Sequence, residues 1–177
     1  MKKIFGLIIL TILISGCLFR DPYRREFAGV TLNFRSNLNE AEKVSLYPNE
    51  ETLKNVLLSD SIEEIGIAYI PNESENSLYL AASYELAYKL TIINKYYFKQ
   101  PKPIVSIPLN STEEVFDLST MERAMIILLG PSKTNATAVT IRGTVVFAEG
   151  KNFSEVNRTY TDLDLAVDKI LLVLMEG

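Results

Sequence analysis

The apolar positions of this chain follow two spacings, one typical of buried β-strands and one typical of helices. Near-continuous apolar runs at residues 65–70, 104–109 and 124–129 favour strands buried on both faces, as in parallel sheets. Between the first two runs, residues 75–98 repeat apolar side chains every three or four positions, which predicts the longest helix. Strands and helices in alternation predict an α/β fold.

Shorter elements are predicted on either side of these runs. Asn49 is a typical helix cap, and residues 50–58 follow it with an acidic first turn. A short helix is predicted from Glu113 to residue 118, and short strands are predicted at 31–36 and 44–47. Residues 139–141 and 145–147 flank Arg142-Gly143 and predict a β-hairpin.

The last helix is predicted to begin at Asn152, which has Glu155 three positions further on, as in a capping box. A stripe with helical spacing follows it: Val156, Tyr160, Leu163, Val167, Ile170, Leu171 and Leu174. The opposite face is predicted to carry Arg158, Asp162 and Asp168. The elements together predict a three-layer α/β/α sandwich, Rossmann-like in the broad sense, with a mixed, mostly parallel sheet and a hairpin at one edge.

The long predicted helix also carries tyrosines on a second flank: Tyr79, Tyr84, Tyr88 and Tyr96. We interpret these side chains as core residues whose hydroxyls reach water. The alternative is a surface that stacks on sugars or binds a partner.

The first seventeen residues have the pattern of an export signal. Lys2 and Lys3 precede an uncharged run at 4–14, which spans about 16 Å as a helix and is too short for a bilayer core of about 30 Å. Ile14-Ser15-Gly16-Cys17 resembles the lipobox of prokaryotic lipoproteins, and Cys17 is the only cysteine. The resemblance implies cleavage before Cys17 and lipid on its sulfur; the alternatives are an ordinary export signal or an uncleaved anchor helix.

These features divide the chain into three parts. Residues 1–16 are predicted to be a lipoprotein signal peptide, 17–29 a lipidated tether, and 30–177 a single extracytoplasmic domain. With 18 Lys+Arg against 22 Asp+Glu, removal of the two signal lysines changes the net charge from −4 to about −6. An acidic domain of this kind has no electrostatic basis for binding nucleic acid.

Five Asn-X-Ser/Thr triplets, at Asn72, Asn110, Asn135, Asn152 and Asn157, are candidate glycosylation sites. The composition predicts roughly 1.7 such triplets by chance, so the excess supports an exported protein. The alternative is that Asn, Ser and Thr cluster because all three favour loops. With its lipobox and a single Gln, the chain resembles the small, uncharacterised surface lipoproteins of hyperthermophilic archaea. That likeness implies no activity.

Several kinds of chemistry are excluded by composition. The chain has no His, and its one Cys is assigned to lipid, so His-dependent triads and thiolate sites cannot form. Gly130-Pro131-Ser132-Lys133-Thr134 lacks the spacing of a phosphate loop. The acidic pairs are explained by helix starts and by solvated strand ends. We therefore expect no metal, no cofactor and no catalytic residue.

A ligand site in an open α/β sheet lies beyond the carboxyl ends of its parallel strands. Polar side chains follow all three predicted strands there, and the candidate ligand-facing residues are Asn72, Glu73, Asn110, Ser111, Thr112, Ser132, Lys133 and Thr134. They predict either a polar crevice for a small ligand or ordinary solvated loops, and we favour the second interpretation.

The sequence therefore predicts a lipid-anchored protein on the extracytoplasmic face of the cell membrane that acts as a non-catalytic binding or interaction module. Its expected partners are the membrane, through lipid on Cys17, and another envelope protein or a small solute. Two alternatives stay open: a carboxylate-dependent hydrolase of envelope glycans, and an accessory lipoprotein of a transporter.

Overall fold

The computed structural model describes residues 21–153 and 158–176, which form eight strands and five helices. The strands are β1 (Arg24–Phe27), β2 (Val30–Asn33), β3 (Ser45–Tyr47), β4 (Glu64–Tyr69), β5 (Ile104–Pro108), β6 (Arg123–Leu129), β7 (Ala138–Arg142) and β8 (Val145–Glu149). The helices are α1 (Leu38–Ala41), α2 (Glu50–Leu57), α3 (Asn76–Tyr97), α4 (Glu114–Leu118) and α5 (Asp162–Met175). Within these ranges, no helix combines the length and apolar character that crossing a membrane requires.

Six strands form one mixed sheet in the order β3-β7-β8-β6-β4-β5. Strands β5, β4, β6 and β8 are parallel to one another, β7 is antiparallel to β8, and β3 is parallel to β7. The α/β class and the mostly parallel sheet are thus confirmed. The predicted hairpin is β7–β8, but it does not form the edge, because β3 pairs along the outer side of β7.

The two faces of the sheet are covered unequally. Along β6, Ile126 and Leu128 belong to a core cluster with α3 and α5, whereas Met125 and Ile127 face a smaller cluster. On that second face, the helix that contributes to the cluster is the five-residue α4, through Val115. The larger core therefore lies between the sheet and the layer formed by α3 and α5.

A two-stranded antiparallel sheet, β1–β2, lies outside the main sheet and contributes Phe27 and Leu32 to the larger core, and Phe34 follows directly after β2. The predicted tether at 17–29 is therefore wrong over its second half, because β1 is folded and Phe27 is only 8% exposed. The turn at Ala28-Gly29 has positive φ at both residues. The predicted strand at 31–36 is shorter than expected and ends at Asn33.

The last helix is capped nine residues later than predicted. Thr161 is its N-cap, and it forms a reciprocal capping box with Asp164. Arg158 precedes the helix, and Glu155 lies outside the described residues. The amide of Asn152 instead donates to Asp162 at 3.0 Å. The predicted polar face is also wrong, since Asp162 and Asp168 are buried.

Candidate functional site

The polar loops after β4, β5 and β6 meet at one end of the sheet, as the parallel topology requires. The Asn72 side-chain amide donates to the Ser132 hydroxyl at 3.3 Å, which joins the first loop to the third. The carboxylate of Glu113 has a lowered pKa, chiefly because its own backbone N–H and the Ser111 hydroxyl donate to it; Lys133 adds a smaller favourable charge. The three loops therefore form one surface.

Beneath this loop surface lies a buried carboxylate that the sequence analysis did not single out. Glu75 is 1% exposed and accepts hydrogen bonds from the Ser132 backbone at 2.8 Å, the Ser132 hydroxyl at 2.9 Å and the Tyr79 hydroxyl at 2.6 Å. The Tyr79 hydroxyl in turn accepts from the Gly130 N–H at 3.0 Å. Burial, followed by the bond to Glu75, raises the pKa of Tyr79.

Glu75 and Tyr79 lie beneath the loops after β4 and β6, for which the sequence predicts either a polar crevice or ordinary solvated loops. A Cβ added at Gly130 would lie 2.8 Å from a Glu75 carboxylate oxygen and 2.9 Å from the Tyr79 hydroxyl. The glycine is therefore needed for the close approach of these two side chains. The loop residues above Glu75 and Tyr79 form a polar surface that rests on these buried hydrogen bonds.

The other predicted ligand-facing residues are held mostly by local bonds. Asn110 donates to Glu114 from its backbone at 2.9 Å and from its side chain at 3.1 Å. The Thr134 hydroxyl donates to Glu149 at 2.7 Å. Ser111 and Thr112 are half-buried, whereas Glu73, Ser132 and Lys133 are exposed. The candidate glycosylation sites Asn110, Asn135 and Asn152 are exposed and Asn72 is half-buried. Asn157 and Cys17 lie outside the described residues.

A second polar cluster, also not anticipated, lies between α3 and α5. The Lys89 ammonium pairs with Glu85 one turn earlier, lies 3.9 Å from a carboxylate oxygen of Asp168, and sits 3.6 Å from the centre of the Phe34 ring. Asp168 is fully buried and accepts from the Ser36 backbone at 3.0 Å and the Ser36 hydroxyl at 2.6 Å. Two carboxylates thus share one lysine.

Arg35 closes this cluster on its outer side. Its side chain is 46% exposed, and its Nε donates to Asp164 at 2.9 Å, while its backbone N–H donates to Glu85 at 3.0 Å. Arg35, Glu85 and Lys89 line a groove of about 270 Å³ whose rim includes Tyr84 and Tyr88. The cluster therefore reaches the surface beside two exposed aromatic rings.

Burial dominates the electrostatics of the two carboxylates that contact Lys89. It raises the pKa of Asp168 to about 8, with the nearby Glu85 charge adding to the effect and Lys89 opposing it. Burial also raises the pKa of Glu85, against the lowering effect of Lys89. Raised carboxylate pKa values are common at acid–base sites. Of the two, however, only Glu85 lines the groove.

Across residues 21–153 and 158–176, no group of three or more acidic side chains could hold a metal ion. No protein-family model, no curated protein and no solved structure gives a significant match to this chain.

Proposed function

We propose that this protein is an exported domain, held at the extracytoplasmic face of the cell membrane by lipid on Cys17, that acts by binding rather than by catalysis. The anchoring rests on the two signal lysines, the short apolar run and the lipobox-like sequence at 14–17. The partner we expect at the loops after β4, β5 and β6 is another envelope protein or a small solute.

One observation carries the binding function: the loops converge into one exposed polar surface fixed from below by Glu75. Glu73, Ser132 and Lys133 are exposed there, while the Glu75 carboxylate bonds both the backbone and the hydroxyl of Ser132. Loops held on a rigid scaffold are the usual carriers of recognition. This surface offers both donors and acceptors to a polar partner.

A carboxylate-dependent hydrolase is the competing function. It requires two carboxylates that reach a substrate together, and Glu85 converges with Asp168 on Lys89 and with Asp164 on Arg35. Asp164 is 1% exposed, and its carboxylate is held by the backbone and hydroxyl of Thr161. Asp168 has no exposed surface, and one of its carboxylate oxygens accepts hydrogen bonds from the backbone and the hydroxyl of Ser36. A substrate would reach Asp168 only after Ser36 moved away. Binding at the loop surface requires no such movement.

Two measurements test the proposal. Mass spectrometry of the native protein should find a mature N-terminus at Cys17 that carries lipid. A photo-crosslinking amino acid at Lys133, after β6, should give a discrete adduct in intact cells. The same group at Met121, before β6 and 88% exposed, should not. An unmodified Cys17, or equal labelling from the two positions, would contradict the proposal.

A further inference from the structure

The outward face of α3 has an unusual composition for a helix in contact with water. Its seven exposed positions are Ser77, Leu80, Tyr84, Tyr88, Thr91, Lys95 and Tyr96. Lys95 is the one charged residue among them. The other charged residues of this 22-residue helix, Glu85 and Lys89, are buried on its inner face. A water-facing helix normally places its charges outside and its aromatic rings inside, and α3 reverses this order.

Three large side chains lie close to one line along the exposed face: Leu80, Tyr84 and Tyr88 are four residues apart and are 59%, 76% and 54% exposed. Tyr96, which is 61% exposed, lies at the edge of this face, because the eight residues after Tyr88 turn the helix by about 80° beyond two full turns. From Leu80 to Tyr96 the helix rises about 24 Å. Val30, which is 43% exposed, extends this aromatic stripe where the β1–β2 turn lies against Ile92 and Tyr96. The stripe is long enough to cover one side of the domain.

The first residues that the structure describes, 21–23, lie against Leu38 and Tyr160 and lead directly into β1. The Pro22 carbonyl accepts from the Leu38 N–H at 2.7 Å, so the chain is fixed from its first described residues. Arg24 donates from its Nε to the Asn33 side chain at 3.0 Å. Asn33 lines the same groove as Tyr84 and Tyr88. The β1–β2 sheet therefore connects the start of the domain to the groove beside these tyrosines.

Covalent geometry limits how far this face can lie from Cys17. Four peptide units separate Cys17 from Asp21, and fully extended they reach at most about 14 Å. A domain attached by lipid at Cys17 is thus held close to the bilayer surface. Because the chain enters the fold through β1, whose partner strand β2 borders the groove beside Tyr84 and Tyr88, the aromatic stripe lies on a face that can reach the same bilayer.

We propose that the aromatic stripe of α3 lies in the headgroup region of the membrane that holds the lipid anchor. Tyrosine favours this region because its ring is apolar and its hydroxyl stays in water. A lipid chain alone gives marginal attachment, and a second contact of this kind makes it stable. Lys95 is the one charged residue exposed on α3, and Arg24 is paired with Asp21 at 3.3 Å, so the aromatic rings carry the contact. The inference rests on the proposed anchoring at Cys17.

The absence of tryptophan from the whole sequence allows a direct test. Tyr84→Trp places a single fluorophore in the stripe, at a position exposed enough to accept it. Phe116→Trp is the matched control, because Phe116 is an exposed aromatic residue of α4 on the other side of the sheet. The full lipidated chain, purified from membranes, is incorporated into vesicles of brominated phosphatidylcholine, in which bromine quenches tryptophan within the bilayer.

We expect the emission of Trp at 84 to shift to the blue and to be quenched in brominated vesicles, while Trp at 116 keeps its emission. Tyr88→Trp should repeat the result and guards against a folding defect in the first variant. If the chain floats with the vesicles but neither stripe position is quenched, the stripe does not contact lipid. A blue shift without quenching would assign the stripe to a second copy of the chain. A chain that does not float would overturn both this inference and the anchoring on which it rests.

Discussion

Tyr84 and Tyr88 lie with their rings parallel on the outer face of α3, at an interplanar angle of 5° and with ring centres 6.5 Å apart. The residues that follow each of them in the sequence, Glu85 and Lys89, pair with each other on the inner face. The same two turns of helix therefore expose aromatic rings and bury a lysine with its partner. The exposed rings and the buried ion pair each have measurable consequences.

Lys89 is predicted to be essential for stability because it is the one cation between Glu85 and Asp168. Lys89→Met leaves Asp168 without a nearby cation and Glu85 with only the partly exposed Arg35, 3.6 Å away. Removing one partner of a buried ion pair typically costs about 3–5 kcal/mol. Urea denaturation at neutral pH measures the loss as a change in the free energy of unfolding.

Lys95→Met is the control for this variant, because Lys95 belongs to the same helix and is exposed. Its effect should stay within about 0.5 kcal/mol. Combining Lys89→Met with Glu85→Gln should recover part of the loss, since one uncompensated charge is removed. If Lys89→Met and Lys95→Met were equally stable, Lys89 would not be essential for stability.

The buried carboxylates also predict how stability depends on pH. The pKa of Asp168 is raised from 3.8 to about 8 in the folded protein, mainly by burial, with Glu85 adding to the shift and with Lys89 and Ser36 opposing it. Between these values the folded state holds a proton that the unfolded chain has released. The free energy of unfolding therefore falls as the pH rises through this window. The raised pKa of Glu85 acts in the same direction.

Asp168→Asn tests the assignment of this slope. The amide oxygen of asparagine still accepts from Ser36, but the side chain no longer titrates, so the decline between pH 5 and 8 should become shallower. Asp117→Asn changes an exposed acid of α4 and should keep the wild-type slope. The measurement is urea denaturation across this pH range. A stability that rises with pH in the wild type would show that Asp168 is not the controlling group.

Much of the fold could be predicted because its central elements have strong local patterns. The apolar runs of β4, β5 and β6 lie within one residue of their predicted starts, and α3 agrees with the predicted 75–98 to within one residue at each end. The start of α5 was misplaced because Asn152 and Glu155 have the spacing of a capping box. In the structure, Thr161 and Asp164 form the capping box instead. The two pairs have the same spacing of three residues in the sequence.

The charged cluster was harder to foresee, although part of its signal was present. Lys89 lies three residues after Leu86 and four before Ile93, so helical spacing places it on the buried stripe. Asp168 has the same spacing, three residues after Leu165 and four before Leu172, but its hydrogen-bond partner Ser36 is 132 residues away in the sequence. Contacts of this range arise from the tertiary fold and leave no periodicity.

The Tyr79 hydroxyl is predicted to stabilise the fold through its buried hydrogen bonds beneath the loop surface. Tyr79→Phe leaves Glu75 and the Gly130 N–H each with one bond fewer in a buried setting, which costs about 1–3 kcal/mol. Tyr88→Phe removes an exposed hydroxyl from the same helix and should change stability by less than about 0.5 kcal/mol. Thermal or urea unfolding compares the two variants. Equal stabilities would mean that the bonds under the loop surface are not needed for folding.

Asn135 is the candidate glycosylation site that we expect to be occupied in a host that glycosylates asparagine. The side-chain amides of Asn72, Asn110 and Asn152 each donate to another side chain, namely Ser132, Glu114 and Asp162. Asn135 is exposed, and its side chain makes no hydrogen bond within the part of the chain that the structure describes. A sugar on its amide nitrogen would therefore break no bond, whereas at Asn152 it would displace a donor to a buried carboxylate. Peptide mass spectrometry of the native protein should find the highest occupancy at Asn135, and Asn135→Gln should remove that signal. Full occupancy at Asn152 with an unmodified Asn135 would show that the hydrogen bonds of the folded domain do not decide which site is used.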